Sequence, residues 1–144
     1  MKHILVVMLF MFTVNFTMMG QKIASPVSWD FKLEKVNAND YKLIATATMA
    51  PSWVLYSQFT DPEGPVPTSF MVNGKPAQLK EEGELIKEMD KLFEVVVKKF
   101  KHKTVFSTTI QKGNNNGVKG SVEYMTCDGL KCLPPTTVPF DLKF

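Results

Sequence analysis

Two residues in this chain of 144 have the type and spacing to do chemistry: Cys127 and Cys132, its only cysteines. They stand in the run Tyr124-Met125-Thr126-Cys127-Asp128-Gly129-Leu130-Lys131-Cys132-Leu133-Pro134-Pro135. Gly129 lets the chain turn back, and a bond closes if the turn brings the two Cα atoms within about 7 Å. Three chemistries compete for such a pair. A structural bridge is the simplest. Closing a six-residue ring, however, stabilises a fold by only about 2 kcal/mol, against more than about 4 for a hundred-residue loop. A zinc site needs two ligands beyond the two thiolates, and His102 is the only histidine after His3. A redox pair needs accessible sulfurs and a ring able to open and close. A glycine-containing loop held between a strand and the stiff Pro134-Pro135 step meets that need. Lys131 favours a thiolate beside it and Asp128 opposes one, so no net direction follows for thiol acidity. The pair is not a C-x-x-C at a helix start. It would act as a relay, reduced by one thiol protein and reoxidised by another through mixed disulfides.

Other chemistries find few residues. His102 lies in the run 98–103, rich in lysine, which reads as a solvated hairpin end. No Ser-His-Asp set is visible. There is no glycine-rich dinucleotide fingerprint and no haem C-x-x-C-H, so no cofactor is expected. No metal is expected either. The net charge is +3, and every basic side chain other than histidine is lysine. A nucleic-acid binder would ordinarily use arginine for bidentate contacts and stacking, so this composition argues against that class.

The elements that must position the cysteines are strands. Residues 1–20 have the build of a secretory signal peptide: a short basic start, an apolar run over 4–12, then dilution by Thr13, Asn15 and Thr17. Cleavage is expected after Gly20 or Ala24, with an uncleaved anchor as the alternative. Residues 21–144 form one domain, long enough to bury a core, working outside the cytoplasm where disulfides persist. Val27, Trp29, Phe31 and Leu33 alternate with polar partners, as do Tyr41, Leu43, Ala45 and Ala47. Further alternating runs lie over 93–97, 104–110, 118–124 and 138–144, and an aromatic run over 52–58. Such alternation marks strands with one buried face. Asn37, Asp40 and the pair Asn73-Gly74 are hairpin signals. Residues 81–91 read as an acidic, exposed connection with at most a turn or two of helix. About seven short strands with frequent turns predict an all-β chain, an immunoglobulin-like antiparallel β-sandwich.

The run from Tyr124 to Pro135, followed by Thr136-Thr137-Val138-Pro139-Phe140, resembles the active-site strand of the N-terminal periplasmic domain of the DsbD thiol:disulfide interchange proteins. Trp53-Val54-Leu55-Tyr56-Ser57-Gln58 resembles that family's aromatic strand. The likeness runs from about Val27 to Leu142, with one residue fewer between the cysteines than in the best-known members. It implies an immunoglobulin-like domain whose cysteine pair carries electrons. Cys127 would form mixed disulfides and Cys132 would resolve them. It also implies a cap loop over the disulfide, matched by position to residues 89–93, with Phe93 the covering ring and Leu92 and Asp90 beside it. Tyr56, Tyr124, Asp128, Lys131 and Pro134 would flank the site.

The expected function is an exported, periplasmic thiol–disulfide relay, a thiol–disulfide oxidoreductase. It would take reducing equivalents from the thioredoxin-like domain of a membrane thiol reductase. It would pass them to periplasmic thiol proteins such as a disulfide isomerase or a cytochrome c maturation thiol protein. Neither a membrane conduit nor a thioredoxin-like domain is expected within these residues, so the donor is expected to be another protein. The alternative is an immunoglobulin-like binding module with a structural loop disulfide, presenting Trp53, Tyr56 and the proline-rich loop 61–67 as its contact surface.

Overall fold

The computed structural model describes residues 25–144, all of it built from strands and loops. The export-signal reading of residues 1–20 and both cleavage points lie outside the described residues. Ten strands follow one another: β1 (Val27–Lys35), β2 (Asp40–Met49), β3 (Val54–Tyr56), β4 (Ser69–Val72), β5 (Lys75–Ala77), β6 (Lys80–Met89), β7 (Val96–Gln111), β8 (Gly117–Tyr124), β9 (Thr126–Cys127) and β10 (Thr136–Lys143). They make two antiparallel sheets. One runs β1-β2-β7-β3-β9 with β6 paired to β7, and the other runs β10-β8-β4-β5. The fold is an immunoglobulin-like antiparallel β-sandwich.

Alternation does what it should. In β1 the odd positions from Val27 to Leu33 turn toward the core, while Ser28, Asp30, Lys32 and Glu34 face water. The core joins the two sheets. Leu55, Phe100 and Phe106 come from one sheet and Phe70, Val122 and Tyr124 from the other. Trp29 sits among them, its ring 5.7 Å from Phe106, 6.0 Å from Phe70 and 5.5 Å from Tyr124. Each such aromatic pair adds about 0.5–1.5 kcal/mol beyond the area it buries. The hairpin signals hold as well. The Asn37 Oδ1 accepts the amides of Asn39 and Asp40, each at 2.8 Å, which shapes the β1–β2 turn. Asn73 and Gly74 have φ of 49° and 76°, the two positive values that a tight β-hairpin turn requires.

Two sequence expectations are corrected. Residues 81–91 are not a loose connection, because most of them belong to the ten-residue strand β6. Both faces of β6 are largely wet, so no apolar alternation marks it. It is held by its ladder to β7, which is interrupted by a register shift between Gly83 and Leu85. The lysine-rich run 98–103 is not a hairpin end either. It lies within the sixteen-residue β7, the longest strand. One edge of β7 pairs with β6 along most of its length. The other edge pairs with β2 over Lys103 to Gln111 and with β3 over Lys99 to Lys101. His102, with φ of 63°, sits where the partner changes.

Candidate functional site

The cysteine loop is a short antiparallel turn. Cys127 and Cys132 face each other as a bridge pair, flanked by Asp128 N–H to Lys131 C=O at 3.0 Å and Leu133 N–H to Thr126 C=O at 2.9 Å. Those two bonds make 127 and 132 a non-hydrogen-bonded pair, the position where facing Cα atoms come closest. Here they are 4.1 Å apart and the sulfurs are joined in a disulfide. The turn is written in the intervening residues. The Asp128 Oδ1 accepts the amides of Leu130 and Lys131, each at 2.9 Å. Those amides hold the Asp128 carboxyl below the usual carboxylate range. Gly129 takes φ of 90°, which a side chain would resist.

β3 and β7 place the loop. Cys127 is opposite Val54, which is opposite Lys101. Two residues along, Tyr56 is opposite Lys99. Directly opposed residues share a face, and alternate residues along a strand do too. Leu55 and Phe100 belong to the sandwich core. Val54, Tyr56, Lys99, Lys101 and Cys127 therefore lie on the outer face of the same sheet. A separate, smaller apolar cluster forms there from Val54, Tyr56, Val97 and Cys127, with Phe93, Val95, Met125 and Cys132 packed against it.

The segment 89–95 covers this cluster. Asp90 is its anchor and is itself buried. The Asp90 amide donates to Val95 C=O at 2.9 Å, the Glu94 amide donates to Asp90 C=O at 2.9 Å, and Oδ1 accepts the Leu92 amide at 2.8 Å. The Phe93 ring meets Tyr56 edge-on at 6.5 Å. Behind it, Gly64 leaves no room for a side chain, since an added Cβ would stand 2.7 Å from Val95 Cγ2. The loop 61–67 thus braces the cover rather than standing free. Burial pushes the Tyr56 phenol above the ordinary tyrosine range, and the Asp90 carboxylate adds to that rise through its charge and a hydrogen bond. A cavity of about 390 Å³ opens between the cover and the cysteine loop, lined by Met89, Asp90, Leu92, Tyr56, Lys99 and Cys127 among others.

The structure thus brings Cys127, Cys132, Phe93, Leu92, Asp90, Tyr56 and Asp128 into one neighbourhood. Lys131 and Pro134 are exposed on the cysteine turn and its exit. Tyr124 is elsewhere. Alternation along β8 turns it into the sandwich core against Trp29, its hydroxyl 3.2 Å from Ser25 Oγ, and the chain reaches the other sheet only after Met125. Tyr56 is buried and Trp53 packs partly against the core, so neither offers the open contact surface that the binding-module alternative needs. Sequence reasoning missed Val97, Lys99 and Glu88. The signal was present, because Val95, Val97, Lys99 and Lys101 continue one alternation that the lysine run disguises.

No family model and no curated protein sequence matches the chain. Solved structures do match in fold. The N-terminal periplasmic domain of ScsB from Proteus mirabilis matches with a TM-score of 0.65 at 15% identity, over 83% of this chain and 47% of that one. The chain therefore spans about half the length of that neighbour. The DsbD N-terminal domain of Neisseria meningitidis, in its reduced form, matches with a TM-score of 0.54 at 15% identity, over 81% of this chain and 85% of that one. The chain shares the fold of these domains. Among the described residues, no helix is long and apolar enough to cross a membrane.

Proposed function

We propose that this chain is an exported thiol–disulfide exchange relay, working in the periplasm through Cys127 and Cys132. The observation that carries the reading is a disulfide on a five-residue separation, set outside the main core and partly covered by a separately anchored loop. A bridge of so short a span adds little stability. Its placement suits exchange better than stapling. The shared fold supports the reading, since one neighbour is a periplasmic domain and the other a DsbD domain in a reduced state.

In the proposed step a partner thiolate attacks one sulfur of the pair. A new S–S bond forms to the partner, the Cys127–Cys132 bond breaks, and the other sulfur leaves as a thiolate. The partner's second thiolate then attacks the mixed disulfide. The partner departs oxidised and this chain retains two electrons, with protons taken up from water. The reverse sequence passes the electrons on. The donor is the thioredoxin-like domain of a membrane thiol reductase. The acceptor is a periplasmic thiol protein, such as a disulfide isomerase or a cytochrome c maturation thiol protein. Phe93, with Leu92 and the Asp90 anchor, shields the pair from other thiols.

Burial bears on which sulfur is attacked. Cys127 is only 2% exposed, whereas Cys132 is half-buried. A thiolate approaching the closed form reaches Cys132 first and expels Cys127. Attack at Cys127, the order that the sequence resemblance implies, requires residues 89–93 to lift. Trapping separates the two orders. Cys127→Ser and Cys132→Ser variants are incubated with an extracytoplasmic extract, and covalent complexes are identified by mass spectrometry. A thiol protein trapped through Cys132 supports the first order, and one trapped through Cys127 supports the second. No thiol partner with either variant, together with a reduction potential below about −300 mV, would return the chain to the binding-module reading.

A further inference from the structure

The relay mechanism leaves one buried charge unused. Lys99 is 9% exposed, the only lysine among the described residues to be buried. Its strand neighbours Lys101 and His102 are exposed, as a solvated face would have them. An ammonium is withdrawn from water only at a cost, unless a partner offsets it. The Lys99 Nζ has such a partner in Glu88 Oε1, at 2.6 Å. The Glu88 side chain is itself 52% exposed, and the Lys99 ammonium holds its carboxyl below the usual range. Lys99 also lines the cavity that Cys127 lines, on the same face of the sheet and across from Tyr56.

We infer that Lys99 supplies the counter-charge for the Cys127 thiolate. The inference rests on the relay reading and names the residue that makes its charged intermediate tolerable. When a partner thiolate bonds to Cys132, the Cys127 sulfur keeps the electron pair of the broken S–S bond and gains a negative charge. It does so beside Val54, Val97 and Tyr56, where an uncompensated thiolate is disfavoured by desolvation. Three cations and three anions stand around the cavity or on its rim: Lys91, Lys99 and Lys101 against Glu88, Asp90 and Asp128. Asp128 is engaged by two loop amides and Asp90 by the amides of its own segment. Of the cations only Lys99 is buried. In the oxidised chain Glu88 balances it. After reduction Glu88 stays half in water, and Lys99 is shared with the sulfur. A lower thiol pKa makes Cys127 a better leaving group, so the same charge speeds reduction.

The test uses the full chain in a Cys132→Ser background, so that Cys127 is the only thiol. Lys99→Met, Glu88→Gln, the double variant and the distant Lys119→Met are titrated by thiolate ultraviolet absorbance. The same four changes are placed in the chain with both cysteines, and reduction by dithiothreitol is timed. Lys99→Met should shift the thiol titration to higher pH and slow reduction by about tenfold, the effect of losing one nearby opposite charge. Glu88→Gln should shift the titration to lower pH. The double variant should fall between the two single variants, because it removes one charge of each sign beside the sulfur. Lys119→Met should match the parent. If Lys99→Met leaves the titration in place, or if the double variant titrates no higher than Glu88→Gln alone, Lys99 is not the counter-charge. Should Lys99→Met fail to fold, an unmoved titration in Glu88→Gln overturns the inference. None of these readouts needs a physiological partner, so failure here is distinct from a failure to trap one.

Discussion

The two faces of the central sheet use the same strands to different ends. On the inner face Leu55, Phe100 and Phe106 meet the opposing sheet and are fully enclosed. On the outer face Val54, Tyr56, Val97 and Cys127 are just as buried, yet what covers them is one short segment and a turn. Inner burial rests on two sheets packed across a shared core. Outer burial rests on the Asp90 hydrogen bonds, the Phe93 ring and the brace near Gly64. Equal burial therefore does not mean equal permanence. Segments with few buried contacts open locally at much lower cost than core strands. Under the proposed function, a cysteine pair set beneath such a cover can be protected and still be reached.

The comparison breaks most plainly at Phe106. Phe106→Ala should cost about 3–5 kcal/mol, as core phenylalanine truncations do, read as a lower denaturation midpoint. Removing both cysteines should cost less. Replacement of Cys127 and Cys132 by serine is expected to lower stability by at most about 2–3 kcal/mol, with the strand signature in circular dichroism retained. A double variant unfolded at room temperature would mean that the outer face holds the fold as the inner one does. Gly129→Ala should cost about 1 kcal/mol, from backbone strain alone, because a Cβ there meets nothing within 4 Å.

Phe93→Ala sharpens the contrast in rate rather than stability. It should cost about 1 kcal/mol, from a half-buried ring, and raise the rate of reduction by small thiols severalfold. An unchanged rate would make the ring ordinary packing. The smallest effect is expected at Tyr56. Its raised pKa means that the fold favours the neutral phenol. That contribution is complete below pH 10, the ordinary tyrosine value, and is lost as pH climbs beyond it. The parent should therefore lose more stability than Tyr56→Phe between neutral and strongly alkaline pH. Parallel curves for the two would place no part of the alkaline loss on Tyr56.

Much of the sandwich was legible from alternation, and the Asn73-Gly74 turn from its chemistry. The cysteine loop was legible because Asp128 and Gly129 are turn residues with defined hydrogen-bonding and backbone preferences. β6 was not, since a strand wet on both faces carries no apolar period and is defined only by its partner. Lys99 was hidden for a related reason. A lysine run reads as surface, and only the cover from the loop that leads into β7 makes one of its members buried. The resemblance carries Tyr124 to the site, but the chain changes sheets between Tyr124 and Thr126 and leaves that ring in the core.

The hydrogen bonds on either side of the cysteine pair have one more consequence. Asp128 to Lys131 and Leu133 to Thr126 are made by backbone, and the Asp128 carboxylate ties the turn independently. None of these needs the S–S bond. When it breaks, the two sulfurs remain tethered on facing positions, each at a high effective concentration for the other. In the proposed exchange, ring closure then competes with any encounter from solution, so a mixed disulfide with a partner would be expelled quickly unless the resolving cysteine is removed. The turn acts as a clock on the covalent complex, and the lifetime it sets is short.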